Sequence, residues 1–449
     1  MKKDLDEGHI GDKTTTAPNG VASSPSLKER GSGGESEVLG AESVVQGPVS
    51  HRLEWLDALR GFTMILVVMN HVYGHGFQGD VKASVPMALC QLFRMPLFFF
   101  VSGFLAYKSR YVWNWVGTRV MLLKKLRVQL VPTVVFMTAY IALMHKPPFW
   151  AALGRAWTSE TKAGYWFTIV LLEMFVIYYL FEWLAARLSS KRGRVVASPT
   201  VPEGASVELQ QKNITSVPPL GGEREAVTLQ GANIFPFFLL WLLALAAYAT
   251  AYMPSWFHYP KEPWMVQTSF IRVVRYFHLF LFGNLLHRCW HQAQRLLDSR
   301  WLYPLLIMVA LVCSVEFLKW HHLRLQWANL PHTLAIYSLV LIVFAFFRHY
   351  AAWFTKERRV GRWLQYIGVR TLDVYLIHFF FFPHLPALGP WFKAQGNNFV
   401  LETTTALFVS LLVIAFSLLT SNILRVSPFL KKWLFGRSTP SAAKPGDVM

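Results

Sequence analysis

Long apolar runs separated by short polar segments dominate the sequence, and Pro383 and Pro386 interrupt the ninth of them. Ten runs approach the ~20 residues that cross the hydrocarbon core of a bilayer. Backbone polar groups in a bilayer must bond within their own segment, so each run predicts a helix. The runs cover about residues 57–76, 86–107, 128–145, 165–187, 234–253, 268–287, 301–319, 331–349, 368–386 and 400–424. The pattern therefore predicts an all-α polytopic membrane protein with about ten transmembrane helices.

Polar segments divide the chain around these runs. Residues 1–50 and 190–231 are rich in small, polar and charged residues and show no apolar periodicity. Such composition predicts a disordered tail and a disordered insert, both cytoplasmic. The remaining boundaries give a membrane domain over residues 51–426, interrupted by the insert, and a cytoplasmic C-terminal tail over 427–449.

The distribution of charge predicts the topology. The chain carries a net charge of +19 and contains 44 Lys and Arg. With the N-terminus in the cytoplasm, 32 of them fall in cytoplasmic segments and eight in external loops. This asymmetry follows the positive-inside rule with both termini cytoplasmic, so the positive charge is no sign of nucleic-acid binding. We expect an integral multi-pass protein of the cell (inner or plasma) membrane.

The first apolar run carries two ionisable residues at an informative spacing. Arg60 and His71 are eleven positions apart, which is three helical turns plus about 20°, so both share one face about 16 Å apart. Asp57 lies on the same stripe. Ionisable residues within a membrane helix indicate a functional site that faces protein or water. The alternative is an Arg60 that reaches the interface and a histidine satisfied by a neighbouring helix.

Two further clusters are candidates for chemistry. Lys124, Lys125 and Arg127 begin the third run on the predicted cytoplasmic side. Their charges fit two interpretations, the binding of phosphates or an anchor in the lipid headgroups. In the second run, Ser102-Gly103 indicates close helix packing.

Acidic residues within the apolar runs need a partner or a water-filled cavity. Glu173 lies in the fourth run. Asp373, Tyr375 and His378 fall within two turns of the ninth, and Tyr375 and His378 share a face at the i, i+3 spacing. The histidine-rich segment 321–332 has no carboxylate or cysteine at ligand spacing and predicts an external loop, so no metal is expected. No nucleotide-binding or hydrolase motif is present.

Several motifs occur in an order that resembles the acyltransferase-3 family of integral membrane acyltransferases. The similarity covers about residues 52–425, apart from the insert. The motifs are Arg60-x10-His71 in the first run, RMPLFFFVSGF in the second, LKKLR before the third, YWF with Glu173 in the fourth, FHLFLFGNLL at 277–286 and TLDVYLIH at 371–378.

The resemblance implies an enzyme that moves acetyl groups from cytosolic acetyl-CoA to sugars of surface or exported glycans. It implies Arg60 and His71 as the first motif, with His71 catalytic. It implies Lys124 and Arg127 as the basic motif, in which this chain has lysine where relatives have arginine. Arg94 stands where many relatives have a histidine, and we assign it no catalytic role.

The expected mechanism uses His71 as a general base and the cluster of cations to bind the donor phosphates. The expected partners are acyl-CoA, a carbohydrate acceptor and the lipid bilayer, with acetyl preferred as the acyl group and no nucleic acid. The predicted site comprises His71, Glu173 and Asp57 as catalytic residues, Arg60, Lys124, Lys125 and Arg127 as donor-binding residues, and Trp166, Tyr375, His378 and Asp373 as acceptor-binding residues.

Two other functions fit the same residues. In a proton-coupled secondary transporter, His71, Glu173, Asp373 and His378 would form a proton relay. No inverted repeat is visible, and the cations cluster at one mouth rather than along a path, which disfavours this alternative. In a non-catalytic scaffold, the polar residues would only join helices. Direct transfer and a covalent acyl-histidine both remain open, and we prefer direct transfer.

Overall fold

The computed structural model describes residues 53–109, 111, 113–144, 148–196, 234–254, 262–322 and 329–435. The regular structure in these ranges is helical throughout, without a strand, which confirms the all-α prediction. The α-helices are α1 Glu54–His71, α2 Val85–Ala106, α3 Trp115–Lys125, α4 Val131–Met144, α5 Phe149–Thr158, α6 Trp166–Val196, α7 Ile234–Tyr252, α8 Pro263–Gln267, α9 Phe270–Arg288, α10 Trp290–Leu297, α11 Leu302–His322, α12 Leu330–His349, α13 Arg359–Val369, α14 Thr371–Ile377, α15 Leu388–Ala394, α16 Phe399–Leu424 and α17 Pro428–Phe435.

Each of the ten predicted runs overlaps at least one of these helices. Within the described ranges, six segments are long and apolar enough to cross a bilayer, and the bent pair α10–α11 makes a seventh if it is one span. These six segments are Val85–Ala106, Trp115–Met144, Trp166–Ser189, Ile234–Tyr252, Leu330–His349 and Phe399–Leu424. The other runs differ because α1 and α9 carry several charged residues and α14 is short. The polytopic prediction is confirmed, and the count of ten stays a prediction.

The predicted polar segments lie mostly beyond this description. The tail 1–50 lies outside the described residues. Helix α6 continues to Val196, inside the predicted insert 190–231, and the rest of that insert is outside them. Within the predicted tail 427–449, α17 packs against α4.

Helix α1 occupies the centre of the packing. It contacts α2, α12, α13, α14 and α16, and most of its side chains are buried, Asp57 among them. A helix that carries charges and is buried on nearly every side must satisfy those charges against protein or a cavity. The first motif is therefore placed inside the helix bundle.

A pair of glycines lets α13 cross α1 closely. A Cβ added to Gly61 would lie 1.9 Å from the Leu364 carbonyl oxygen, and one added to Gly368 would lie 1.7 Å from that of Asp57. Both are far below van der Waals contact, and the obstacle is backbone. Small residues are typical of such crossings between membrane helices. The crossing holds Asp57 and Arg60 at a defined distance from α13 and α14.

We expect Gly368→Ala to lower the thermal stability of the purified protein, because the added methyl forces α1 and α13 apart. Overpacking of this kind costs about 1–3 kcal/mol. The matched control is Gly154→Ala in helix α5, where an added Cβ meets nothing within 4 Å. That variant should be neutral or slightly stabilising, since alanine favours helix over glycine by roughly 0.5–1 kcal/mol. Scanning fluorimetry compares the two, and equal melting temperatures would contradict the packing argument.

Helices α2 and α9 cross in the same way. A Cβ on Gly103 would lie 1.8 Å from the Phe280 carbonyl oxygen, and Asn284 Nδ2 donates to the Gly103 carbonyl at 3.2 Å. Gly103 thus has the packing role that Ser102-Gly103 indicated. One turn further, Arg288 forms a buried ion pair with Glu182 of α6. Together these contacts hold α2, α6 and α9 as one wall of the bundle.

Candidate active site

The end of α1 is the first feature of the site. The chain continues from His71 directly into a π turn, Val72–Gly76, which is wider than an α-helical turn. π turns at α-helices are rare and occur frequently at functional sites. The backbone N–H of Leu385 donates to the Gly76 carbonyl at 2.8 Å. This bond brings the end of α1 beside the segment that follows His378.

A pair of imidazoles lies at this junction. His71 Nδ1 and His378 Nε2 are 3.0 Å apart, and the ring planes differ by 10°. His378 Nδ1 lies 3.0 Å from the Val374 carbonyl oxygen, and a carbonyl only accepts, so this nitrogen carries the proton. Neutral His378 therefore accepts at Nε2, and His71 donates from Nδ1. His71 Nε2 is left with a lone pair.

Aromatic side chains and one cation surround the imidazole pair. The rings of Phe379 and Phe382 lie 5.6 and 6.2 Å from that of His71. Arg94 is only 8% exposed, and its Nη1 donates to the Val67 carbonyl, one turn before His71, at 3.2 Å. Its guanidinium acts electrostatically on both imidazoles. A fixed positive charge therefore lies beside the proposed base.

The predicted catalytic carboxylates lie elsewhere. Asp57 Oδ1 is 3.4 Å from Arg60 Nη1, and Arg60 Nη2 donates to Thr371 Oγ1 at 2.9 Å. The fourteen positions between Asp57 and His71 correspond to about 21 Å along a helix. Asp57 thus orients Arg60 and is too distant to touch the imidazole.

Glu173 is also separate from the imidazole pair. Its Oε2 is buried without a hydrogen-bond partner in the described part of the chain, and the charge that acts on it is that of Lys162. In this structure the group bonded to His71 is the imidazole of His378. The described partner of His71 is therefore an imidazole and neither of the two predicted catalytic carboxylates.

A basic cleft opens at the Arg60 end of α1. Two adjoining cavities of about 340 and 370 Å³ form it, and we define it by Arg60, Lys108, Lys124 and Lys125. Lys125 Nζ lies 3.6 Å from the ring centre of Phe175, so its charge makes a cation–π contact at the lining of the cleft. The lining residues that both cavities share are Arg60, Ser102, Lys125, Val128, Gln129 and Leu171.

A break between α3 and α4 shapes this cleft. The residues Leu126–Leu130 form a second π turn, and Pro132 follows it after Val131. Proline has no N–H, so the Val128 carbonyl loses its usual donor four residues on, and the helix widens. Gln129 Oε1 is buried there without a partner among the described residues. Val128 and Gln129 of this turn line the cleft.

The predicted donor-binding cations separate into two groups. Arg60, Lys124 and Lys125 line the cleft, whereas Arg127 is exposed and is not among the described lining residues. Lys108, which directly follows the second apolar run, joins the first group. Partial burial, and then the neighbouring ammonium of Lys124, lower the pKa of Lys108 from its ordinary value. Like charges crowded in this way favour an anionic ligand.

Asp373 lies at the Arg60 end as well. Its Oδ2 accepts from Ser421 Oγ at 2.8 Å and from Arg425 at 2.5 Å, and both Asp373 and Arg425 line the cleft. The sequence analysis placed Asp373 with the acceptor-binding residues. The structure places it beside Thr371, which bonds Arg60.

Tyr375 lies between the basic cleft and the imidazole pair. It donates to the Gly164 carbonyl at 2.7 Å, accepts from the Phe167 N–H at 3.2 Å, and lines the cleft. Its ring centre is 5.8 Å from that of His378. Trp166 lines a different cavity, described below. Of the predicted acceptor-binding residues, Tyr375 and His378 are thus adjacent.

A family model for an acyltransferase domain matches residues 53–422, most of the chain. The chain belongs to the acyltransferase-3 family. Comparisons with curated proteins and with solved structures give no match. Family membership and the long apolar helices identify a multi-pass membrane acyltransferase, and they favour a transferase over the transporter alternative.

Three features of this acyltransferase were missed by the sequence analysis. Lys108 and Arg425 stand at the predicted cytoplasmic ends of apolar runs, so charge and position gave a signal for both. No sequence signal indicated the bond between His71 and His378, because 307 positions separate the two residues. Within the described ranges, no group of three or more His, Cys, Asp or Glu side chains is placed to hold a metal ion.

Proposed function

We propose that this acyltransferase moves an acyl group from cytosolic acyl-CoA to a hydroxyl of a carbohydrate, with acetyl as the group and a surface or exported glycan as the acceptor. The observation that carries the proposal is the imidazole pair. Its hydrogen bonds leave His71 Nε2 with a free lone pair, as a general base requires.

In the proposed reaction, the acceptor hydroxyl oxygen attacks the carbonyl carbon of the thioester while His71 Nε2 takes the hydroxyl proton. The carbon–sulfur bond then breaks, the acyl group stays on the acceptor oxygen, and the thiolate leaves. The imidazolium of His71 returns the proton to that sulfur. His378 keeps the ring in the reactive tautomer throughout. Direct transfer needs no covalent acyl-enzyme.

The basic cleft is the proposed donor site. The four cations that define it suit the phosphates of coenzyme A, and the guanidinium of Arg60 can bind them in a bidentate manner. The pantetheine arm would then run past Met64 and Tyr375, which line the cleft, toward His71. The axial distance of about 16 Å between Arg60 and His71 gives this arm its path.

Mass spectrometry of surface glycans tests the function. Cells that carry the gene should contain O-acyl groups that are absent from cells without it, and the mass of the group identifies the acyl chain. Identical glycan spectra from the two strains, combined with no stabilisation of the purified protein by acetyl-CoA, would overturn the proposal.

Donor binding gives a second prediction. We expect Lys125→Met to weaken acetyl-CoA binding about tenfold, because methionine keeps an unbranched side chain beside Phe175 but removes the charge, and with it one charge-assisted contact. Titration of the melting temperature with acetyl-CoA measures the dissociation constant.

The matched control is Arg119→Gln, an exposed position on the same helix that lies outside the described lining of the cleft. This variant should bind acetyl-CoA like the wild type. If Lys125→Met and Arg119→Gln bind the donor equally well, the basic cleft is not the donor site.

A further inference from the structure

A third cavity, of about 440 Å³, lies among α2, the start of α6, α7, α9 and α12. We call it the arginine cavity and define it by Arg94, Arg272 and Arg275, which all line it. Among the described residues of its lining there is no Asp or Glu. The cavity is therefore distinct from the basic cleft and carries an excess of positive charge.

This charge is only partly compensated. The Nε atoms of Arg94 and Arg272 are buried without a hydrogen-bond partner in the described part of the chain. Glu160 acts electrostatically on Arg272 and Arg275, while Lys162 adds a further positive charge beside Arg272. A buried cation with unbonded donors costs free energy unless a partner satisfies it. An anion in the cavity would supply that partner.

Aromatic rings form one wall of the same cavity. The guanidinium carbon of Arg272 lies 4.1 Å from the ring centre of Trp166, and Tyr276 stacks on Trp166 at 6.1 Å with a 22° tilt. Flat aromatic faces pack against the apolar face of a sugar ring, and the arginine is held in a fixed orientation. Trp166, Tyr276 and Arg272 all line the cavity, so aromatic rings and a guanidinium border the same space.

Arg94 connects this cavity to the proposed chemistry. It lines the cavity, bonds the Val67 carbonyl one turn before His71, and acts electrostatically on His71. A ligand bound to Arg94 is therefore close to the imidazole pair. This proximity makes the arginine cavity a site for the acceptor rather than for the donor.

We propose that the acceptor carries an anionic group, a carboxylate or a phosphate, that the arginine cavity binds while a nearby hydroxyl faces His71. This inference rests on the proposed transfer to a carbohydrate. Guanidinium groups bind planar carboxylates and phosphates through paired hydrogen bonds, which orients the ligand as well as holding it.

The test uses the full-length protein in nanodiscs of zwitterionic phosphatidylcholine and follows its melting temperature. Trigalacturonate is compared with its methyl ester, and trehalose 6-phosphate with trehalose, so that the members of each pair differ chiefly in charge. We expect the charged member of at least one pair to stabilise the protein and its neutral counterpart to have no effect. The pair that responds tells a carboxylate from a phosphate.

Variants connect the response to the cavity. Arg272→Gln should weaken binding of the charged sugar about tenfold, as the loss of one charge-assisted contact predicts. Arg300→Gln, at an exposed position outside the described lining, is the control and should leave binding unchanged. If Arg272→Gln does not fold, Arg275→Gln, whose side chain is exposed, takes its place.

Three outcomes would overturn the inference: charged and neutral sugars stabilise the protein equally, neither charged sugar stabilises it, or the arginine variants respond like the wild type. Stabilisation by phosphatidylglycerol nanodiscs and by neither acidic sugar would assign the cavity to a lipid headgroup. Failure of the proposed function can be distinguished from failure of this inference, because glycan acylation and acetyl-CoA binding are measured without these sugars. Acylation of a wholly neutral glycan would refute the anionic acceptor and leave the transferase intact.

Discussion

Replacing His71 with alanine is expected to lower the rate of acyl transfer by about 10²- to 10⁴-fold, the range that general-base catalysis contributes. The physical reason is the lone pair on Nε2, which alanine cannot supply. Acetyl-CoA binding should persist, since the basic cleft begins about 16 Å away along α1. Quantitative mass spectrometry of glycan O-acylation measures the rate, and a thermal-shift titration measures donor binding.

His75→Ala is the matched control. His75 is exposed, lies one turn after His71, and its ring centre is 5.9 Å from that of His71. Its removal should leave most of the activity, because no bond connects it to the imidazole pair in the described structure. Normal glycan acylation in cells that carry only His71→Ala would remove His71 from the mechanism.

The second large effect is expected at His378, a positioning residue. His378→Phe keeps an aromatic ring of similar bulk but leaves the Nδ1–H of His71 without an acceptor. The His71 ring can then rotate or change tautomer, and the penalty for an unsatisfied buried donor corresponds to about a 10- to 100-fold fall in kcat. The KM for acetyl-CoA should not change, since the donor site is untouched.

His378→Gln separates positioning from packing. Glutamine offers a carbonyl oxygen that accepts from His71 Nδ1 and an amide that donates to Val374, so it should recover a large part of kcat. The pH profile of kcat should keep the limb that reports His71 in both variants. Equal activity of His378→Phe and wild type, or no recovery with glutamine, would contradict the positioning role.

The helices could be predicted from the sequence because an apolar run of bilayer length has few possible structures other than a helix. The shared face of Arg60 and His71 followed from helical geometry, and α1 indeed continues unbroken from Glu54 to His71. Asp57 could be placed near Arg60 by the same geometry. The catalytic role predicted for Asp57 would require it to lie near His71. The same helical geometry separates the two residues by about 21 Å, which is too far.

Contacts between distant segments were not accessible in this way. Helices α1 and α13 cross closely at Gly61 and Gly368. The pattern of apolar residues does not show how near two helices approach each other, so this crossing could not be predicted from it. Asp373 was read as an acceptor contact because it precedes Tyr375 and His378. Its pairing with Arg425 depends on how α16 lies against α14.

Sequence patterns were sufficient to predict a helical membrane protein of the acyltransferase-3 family, with a cation and an imidazole on one face of its first apolar run. Periodicity, run length and ordered motifs are properties of the sequence itself, so they can be recognised without a structure. The fold was needed to show that His378 bonds His71, that Lys108 and Lys125 share one cleft with Arg60, and that three arginines line another cavity. These contacts join residues that are far apart in the chain, and the packing of the helices determines which side chains come together.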